Sequence, residues 1–235
     1  MNNSSYNNRK FLAHPIMGNE EGSELAFAAE YHDLYNEYKP VRMLYTSAIR
    51  ELQARLSTLN EEFSTTYNYN PIHHIESRIK RFESIVKKLQ NFECELCLDS
   101  IKNRLTDIAG IRIICNYIGD IKRVAELILR QDDVHLIKKR DYIATPKPTG
   151  YRSLHLVVTV PVYLSDRTEI VPVEIQIRTI AMDFWASLEH DLRYKSESEV
   201  TDRQRIRLKQ CAESIAVIDN EMQALGEDLE VISKS

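Results

Sequence analysis

Between residues 169 and 178 apolar and polar side chains alternate strictly, with Val173, Ile175 and Ile177 on one side and Glu174, Gln176 and Arg178 on the other. Period-two alternation is the mark of a β-strand whose two faces meet different surroundings. A central strand covered on both faces reads apolar throughout, so three polar residues in file need an outlet, either a cleft or an exposed sheet face. A second long strand at 151–162 precedes this one across a polar turn at 164–168.

The approach to that earlier strand gathers cations. Lys138, Lys139, Arg140 and Lys147 lead into Gly150, which can take the positive φ of a tight turn. Tyr151 then opens the strand, and alternation sends Tyr151, Ser153 and His155 to one face while Leu154 and Leu156 point to the core. An aromatic ring beside cations can stack on a base while they neutralise its phosphates, each stacked base contributing about 1–3 kcal/mol. A surface hairpin with solvated lysines has the same composition, and both readings stand at this point.

The chain has 235 residues, enough for one core and a helical appendage, and its 28% charged and 43% hydrophobic content is that of a soluble globular protein. Its net charge of −4 argues against a general polyanion binder, because the cations are local; a small anionic substrate fits better. No apolar run reaches the ~18 residues of a membrane span, and the first 25 residues lack the apolar centre of a secretion signal, so the expected location is the cytoplasm. Cys94, Cys97, Cys115 and Cys211 form no disulfide framework; Cys94 and Cys97 make a lone C-x-x-C without a second pair to complete a metal site. His32-Asp33 is a dipeptide without the further His and Asp residues of a metal phosphohydrolase.

Elsewhere helices dominate. The segment from 1 to about 25–30 is polar and aperiodic and reads as a mobile tail. Val41, Leu44, Ala48, Leu52, Leu56, Leu59 and Phe63 predict one or two helices over 31–63. Asn70-Pro71 predicts the start of another, running to about residue 90, with Ile75, Ile79, Phe82, Val86 and Leu89 as its core stripe and Arg78, Arg81 and Lys88 on one flank. Such a flank lines a cleft or merely snorkels. A strand at 111–118, a helix at 119–131 and a strand at 134–140 follow. The helix at 179–194 is expected to bury Ile180, Phe184, Leu188 and Leu192, leaving Asp183 and His190 on a common side. The last helix carries Cys211, Ile215, Ile218, Met222, Leu225, Leu229 and Ile232 at alternating steps of four and three, a heptad seam that a lone helix cannot bury.

Two carboxylates stand out as chemistry. Asp107 precedes the strand at 111–118 across Ala109-Gly110, and Glu174 sits in the polar file, with Arg112 and Arg178 close in sequence. A pair of acids on neighbouring strands is a candidate Mg²⁺ site for phosphate chemistry, since Mg²⁺ takes one or two carboxylates plus substrate oxygens; each acid alone would read as an ion-pair partner.

Three runs in register, Asp107-Ile-Ala-Gly-Ile-Arg112, RDYIATPKPTGYRSLH and EIQIRTIAMDFWASLEH, resemble the synthetase domain of the RelA/SpoT alarmone enzymes over about residues 40–220. The chain is similar to the stand-alone small alarmone synthetases, lacking the hydrolase and regulatory domains of the long members. The resemblance implies an α/β (α+β) fold, a mixed β-sheet flanked by helices and related to nucleotidyltransferases, with a synthetase domain over 31–198 and an oligomerisation helix over 199–235. It implies transfer of the β,γ-pyrophosphoryl group of ATP to the ribose 3′-OH of GTP or GDP, without hydrolase activity. By matching position, Asp107 holds Mg²⁺, with Glu174 as second ligand and as the base that takes the 3′-OH proton. Arg78 and Arg112 match arginines that sandwich adenine, and Lys80 and Lys88 match phosphate ligands on one helix. Tyr151 matches the guanine-stacking residue, Lys147 and His155 match acceptor-phosphate contacts, and Gln176 and Arg178 support the site. Two positions depart from the pattern: Asp183 stands where some relatives carry Asn near the guanine, and Arg140 where long relatives carry lysine. Small relatives are homotetramers, which implies a symmetric oligomer here.

Competing with this reading are a relative that pyrophosphorylates adenine nucleotides or a tRNA 3′ end, and an idle nucleotide sensor or RNA-binding module. The acidic composition speaks against tRNA as substrate, and Asp107, Glu174 and Tyr151 together speak against a pure binder. RNA or alarmone as a regulator, and the choice among GMP, GDP and GTP, stay open.

Overall fold

The computed structural model describes residues 20–195 and 201–232; the first 19 residues of the expected tail lie outside them. Five strands form one mixed sheet in the order β1-β2-β5-β4-β3. They are β1 (Ile72–Ile79), β2 (Ala109–Cys115), β3 (His135–Asp141), β4 (Leu154–Tyr163) and β5 (Thr168–Thr179). Only the β2/β5 pair is parallel; β1/β2, β5/β4 and β4/β3 are antiparallel. The parallel pair needs a long crossover, and the segment from β2 to β5 supplies it by way of α4 (Ile118–Leu129) and the β3–β4 hairpin.

Helix α1 (Glu20–Thr66) is a single 47-residue rod with Pro40 inside it. Its buried stripe of Leu34, Tyr38, Val41, Tyr45, Ala48, Leu52 and Leu56 joins Ile111, Ile113, Leu156, Val158, Val173, Ile175 and Ile177 of the sheet in one core. The apolar side of the residue 173–177 alternation thus meets α1 and α4, as period two requires. Because the same strand cannot bury its other side equally, Glu174, Gln176 and Arg178 look into the opposite layer.

The predicted helix from residue 71 does not form. Residues 72–79 are the edge strand β1, antiparallel to β2, and the helix begins only at α2 (Phe82–Asn91). The proline-led start and the helical spacing of Ile75 and Ile79 are coincidental; only Phe82, Val86 and Leu89 of the proposed stripe are buried on a helix. Arg78 therefore belongs to a strand, Lys80 to the turn after it and Lys88 to α2, so the two lysines do not share a helix. Short α3 (Leu98–Arg104) follows, with Cys97 as its N-cap: the sulfur accepts from the Ser100 backbone N–H at 3.4 Å.

The helix α5 (Ile180–Lys195) also differs. Ile180, Phe184, Leu188 and Leu192 are 46–59% exposed, whereas Met182, Trp185 and Ala186 are buried. On α6 (Asp202–Asp228) Ala212, Asp219 and Gly226 face the body of the chain. Ile215 packs beside Trp185 and Ala212, while Ile218, Met222, Leu225 and Leu229 lie outward. The heptad seam is split, its inner edge docked on the chain's own core and its outer edge open.

Candidate functional site

The sheet register gathers the polar residues into rows. Glu76, Arg112, Gln176, His155 and Arg140 are consecutive cross-strand partners, one from each strand. Beside this row, Arg78 is opposite Gly110 and Gly110 opposite Glu174. Directly paired residues share a face, so Arg78 and Glu174 stand on the same side, two strand spacings or about 9–10 Å apart, with no side chain between them. Arg78, Asp107, Gly110, Arg112, Glu174 and Gln176 line one cleft over this floor. The file of polar residues on β5 therefore has a cleft as its outlet.

Asp107 enters from the turn before β2. The Lys80 backbone N–H donates to the Ile108 carbonyl at 2.8 Å, bringing the end of β1 beside it. Its Oδ2 then accepts from Lys80 Nζ at 2.5 Å and Lys88 Nζ at 2.7 Å. Burial would raise the Asp107 pKa, but the two lysines outweigh it and hold the carboxyl below its ordinary range. The other oxygen, Oδ1, is buried without a hydrogen-bond partner. A buried orphan acceptor on an ionised carboxylate is costly unless something cationic meets it, so Asp107 fits a metal ion.

Glu174 sits in a different environment. Its Oε2 accepts from Gln176 Nε2 at 2.8 Å, and its Oε1 is 3.4 Å from His155 Nδ1. Burial again favours the neutral acid, and the bonds from His155 and Gln176 again prevail, so its pKa falls below the usual value while nearby Asp107 opposes the fall. Both acids are thus carboxylates at neutral pH.

The acceptor-side residues form a second cluster. Gly150 has φ 92°, the left-handed turn its identity permits. Strand β4 starts at Leu154, later than the sequence suggests, and Ser153 is fully buried with its hydroxyl donating to the Ile177 carbonyl at 3.2 Å, so it does not line the cleft. Tyr151 and His155 do come together: the phenol oxygen is 2.8 Å from His155 Nε2 and accepts from Arg178 Nη2 at 2.6 Å. Lys147 Nζ lies 4.7 Å from the ring centres of both Tyr151 and Tyr142. Asp183, on the first turn of α5, meets Arg178 Nη1 at 3.0 Å and Arg112 Nη1 at 3.4 Å, and so is engaged by two guanidiniums. Arg140 reaches the Tyr142 hydroxyl rather than the cleft floor.

Three contributors went unremarked in the sequence. Glu76 pairs with Arg112 at 3.3 Å, and its place on β1 was hidden by the helical reading of that segment. Tyr142 packs edge-on to His155, and its position amid the cations was the available signal. The third is α6. Ala212 lies so close to the acceptor turn that a Cβ on Gly150 would come within 2.5 Å of its own, Arg152 Nη1 donates to the Ala212 carbonyl at 3.2 Å, and Trp185 Nε1 donates to the Leu208 carbonyl at 3.0 Å. Further along, Thr179 Oγ1 donates to Asp219 Oδ2 at 2.6 Å in a buried pair.

A mixed sheet with two carboxylates in one cleft, a lysine pair on the first of them and an aromatic-cation cluster alongside is a layout suited to phosphate-bearing ligands. A family profile described as "Region found in RelA / SpoT proteins" matches residues 77–199. The chain is 43% identical to the GTP pyrophosphokinase YwaC of Bacillus subtilis over 83% of its own length and 92% of that protein's. It belongs to the RelA/SpoT family. Among solved structures, the small alarmone synthetase 2 of Bacillus subtilis aligns with a TM-score of 0.74 at 42% identity, over 82% of this chain and 99% of that one. The small alarmone synthetase 1 of the same organism, bound to its product pppGpp, aligns with a TM-score of 0.78 at 33% identity, over 83% and 99%. The mixed sheet with its helices is the fold of these synthetases, as the sequence motifs implied.

Proposed function

We propose that the chain is a (p)ppGpp synthetase that transfers the β,γ-pyrophosphoryl group of ATP to the ribose 3′-OH of GTP or GDP. The observation that carries this reading is the cleft itself, lined by both Asp107, with two lysines on one of its oxygens, and Glu174. Arg78 and Arg112 take the adenine on the β1–β2 side, and Lys80 and Lys88 take its phosphates. Tyr151 stacks on the guanine, with Lys147 beside it for the acceptor phosphates. In the reaction the 3′-oxygen attacks the β-phosphorus, its proton passes to the Glu174 carboxylate, the bond from the β-phosphorus to the α,β-bridging oxygen breaks, and AMP leaves. An ionised Glu174, held by a hydrogen bond from Gln176 and a 3.4 Å contact from His155, is ready to accept that proton.

Mg²⁺ would be held by Asp107, whose Oδ1 lacks a partner, with Glu174 as second ligand, and when bound it supplies charge neutralisation of the polyphosphate. We place the activity in the cytoplasm, where the nucleotide substrates are. We also infer a homo-oligomer, a homotetramer by analogy with small relatives. The open apolar edges of α5 and α6, with Phe184, Leu188, Ile218, Met222, Leu225 and Leu229 all 45–73% exposed, support an interface there, since a large apolar patch on a soluble chain is a contact surface.

The test is to incubate the protein with labelled ATP, Mg²⁺ and each of GMP, GDP, GTP and tRNA. Labelled ppGpp or pppGpp is the expected product. Label on tRNA or on an adenine nucleotide alone would replace this reading, and nucleotide binding without any product would make the chain a sensor.

A further inference from the structure

The contacts around Glu174 close into a ring of four hydrogen bonds and one ion-pair contact. Starting at its Oε1, the circuit passes to His155 Nδ1 at 3.4 Å, from His155 Nε2 to the Tyr151 hydroxyl at 2.8 Å, and from that hydroxyl to Arg178 Nη2 at 2.6 Å. It returns through Arg178 Nη2 to Gln176 Oε1 at 2.8 Å and Gln176 Nε2 to Glu174 Oε2 at 2.8 Å. With His155 a neutral imidazole, chemistry fixes the direction of each link. Arg178 can only donate, so the phenol oxygen accepts from it and has its own proton left for His155. His155 Nε2 must then accept, which leaves the proton on Nδ1, aimed at Glu174. The amide of Gln176, accepting from Arg178 on one side, is oriented to donate to Glu174 on the other.

Both nitrogens of His155 are therefore spent inside the protein. The ring is anchored at Arg178, a guanidinium whose side chain is 6% exposed and which Asp183 holds from the far side at 3.0 Å. Each oxygen of the Glu174 carboxylate is met from one arm of the ring, Oε1 from His155 and Oε2 from Gln176.

We infer that the Tyr151 hydroxyl and His155 are positioning groups for Glu174, so that the residue whose ring receives the acceptor base also sets the orientation of the carboxylate that takes the acceptor's proton. This rests on the proposed role of Glu174 as base. It assigns two separable functions to Tyr151: the ring binds and the hydroxyl aligns. Stacking acts on the acceptor in the ground state, and alignment is felt only when the proton moves.

Steady-state kinetics with ATP and GDP on wild type, Tyr151→Phe and Tyr151→Ala separate them. Tyr151→Phe is expected to lower kcat about tenfold with the GDP KM within about twofold of wild type. Tyr151→Ala should show the same fall in kcat and, in addition, a GDP KM raised by about tenfold. A wild-type kcat in Tyr151→Phe overturns the inference, as does a loss confined to KM. His155→Asn and His155→Ala provide a second route, since an asparagine amide can place a donor where Nδ1 stood. Asparagine should recover several-fold of the kcat lost with alanine, both at unchanged GDP KM; equal kcat losses, or a raised GDP KM in both, would return His155 to the acceptor phosphates. Should wild type form no product while still binding GDP, the functional reading falls, whereas a fully active Tyr151→Phe sinks this inference alone.

Discussion

The two sides of the cleft hold their cations in opposite ways. On the β1–β2 side Lys80 and Lys88 share a carboxylate oxygen of Asp107, so their positive charge is partly neutralised by an acid. On the β4–β5 side Lys147 rests over two tyrosine rings and Arg178 lies 5.0 Å from the centre of one of them. On the proposed assignment, the donor half is an electrostatic array built from a strand end and α2. The acceptor half is an aromatic nest propped from behind by a distant helix. Charge placed on charge tolerates small displacements, while stacking requires a plane to be held in place, which is why the acceptor half recruits so many supports.

This contrast can be broken at its meeting point. Glu174 serves both halves, and Glu174→Gln keeps its shape but cannot accept a proton; kcat should fall by about 10²–10⁴-fold, the usual reach of a general base. A variant keeping more than half of wild-type turnover would leave the cleft without its base. The two halves then separate in a matched pair of variants. Lys88→Met should raise the ATP KM about tenfold, the scale of a lost charge-assisted contact, and leave the GDP KM alone. Gly150→Ala should do the reverse, because a side chain at φ 92° is strained and its Cβ would press on Ala212; about 1–3 kcal/mol is at stake, read as a raised GDP KM with an unchanged ATP KM. If both variants moved both constants equally, the halves would be one site.

The smallest effect is on pH dependence of stability. Asp107 and Glu174 have pKa values below their ordinary 3.8 and 4.5, so the stability they add is complete above those values and is lost as pH falls through the lower, folded ones. Asp219, on α6, and Asp120 are the opposite case: burial raises both above 3.8, so they bind protons more tightly in the folded chain and their contribution fades as pH rises through the raised values. Chemical-denaturation midpoints measured from neutral pH downward should first rise as Asp219 and Asp120 take up protons, then fall as the cleft carboxylates are neutralised. Asp219→Asn should flatten the rise and leave the fall, and a rise that persists in both Asp219→Asn and Asp120→Asn would assign it elsewhere.

Sequence legibility follows the same division. The β5 alternation identified the cleft face because one side of that strand meets α1 and the other lines the cleft. Strand β1 was misread because only its Ile72 is buried; an edge strand with seven partly or fully exposed residues has no inward file to show period two, and helical spacings arise by accident. The outward Ile180, Phe184, Leu188 and Leu192 read as core in the sequence because periodicity reports an apolar face without saying which body covers it. Asp107 and Glu174 were legible as a pair, yet the ring through His155, Tyr151 and Arg178 was not. It joins β4, β5 and the turn after Gly150, and only the sheet register brings those segments together.

The contact between Gly150 and Ala212 gives the molecule a timetable. Synthesis runs from the N-terminus, so Arg78, Lys80, Lys88, Asp107 and Arg112 leave the ribosome well before α6 exists. A nascent chain that has completed these residues still lacks the helix that presses the turn at Gly150 into place. On the proposed assignment, the acceptor turn gains its Ala212 brace only once residue 212 has emerged and docked.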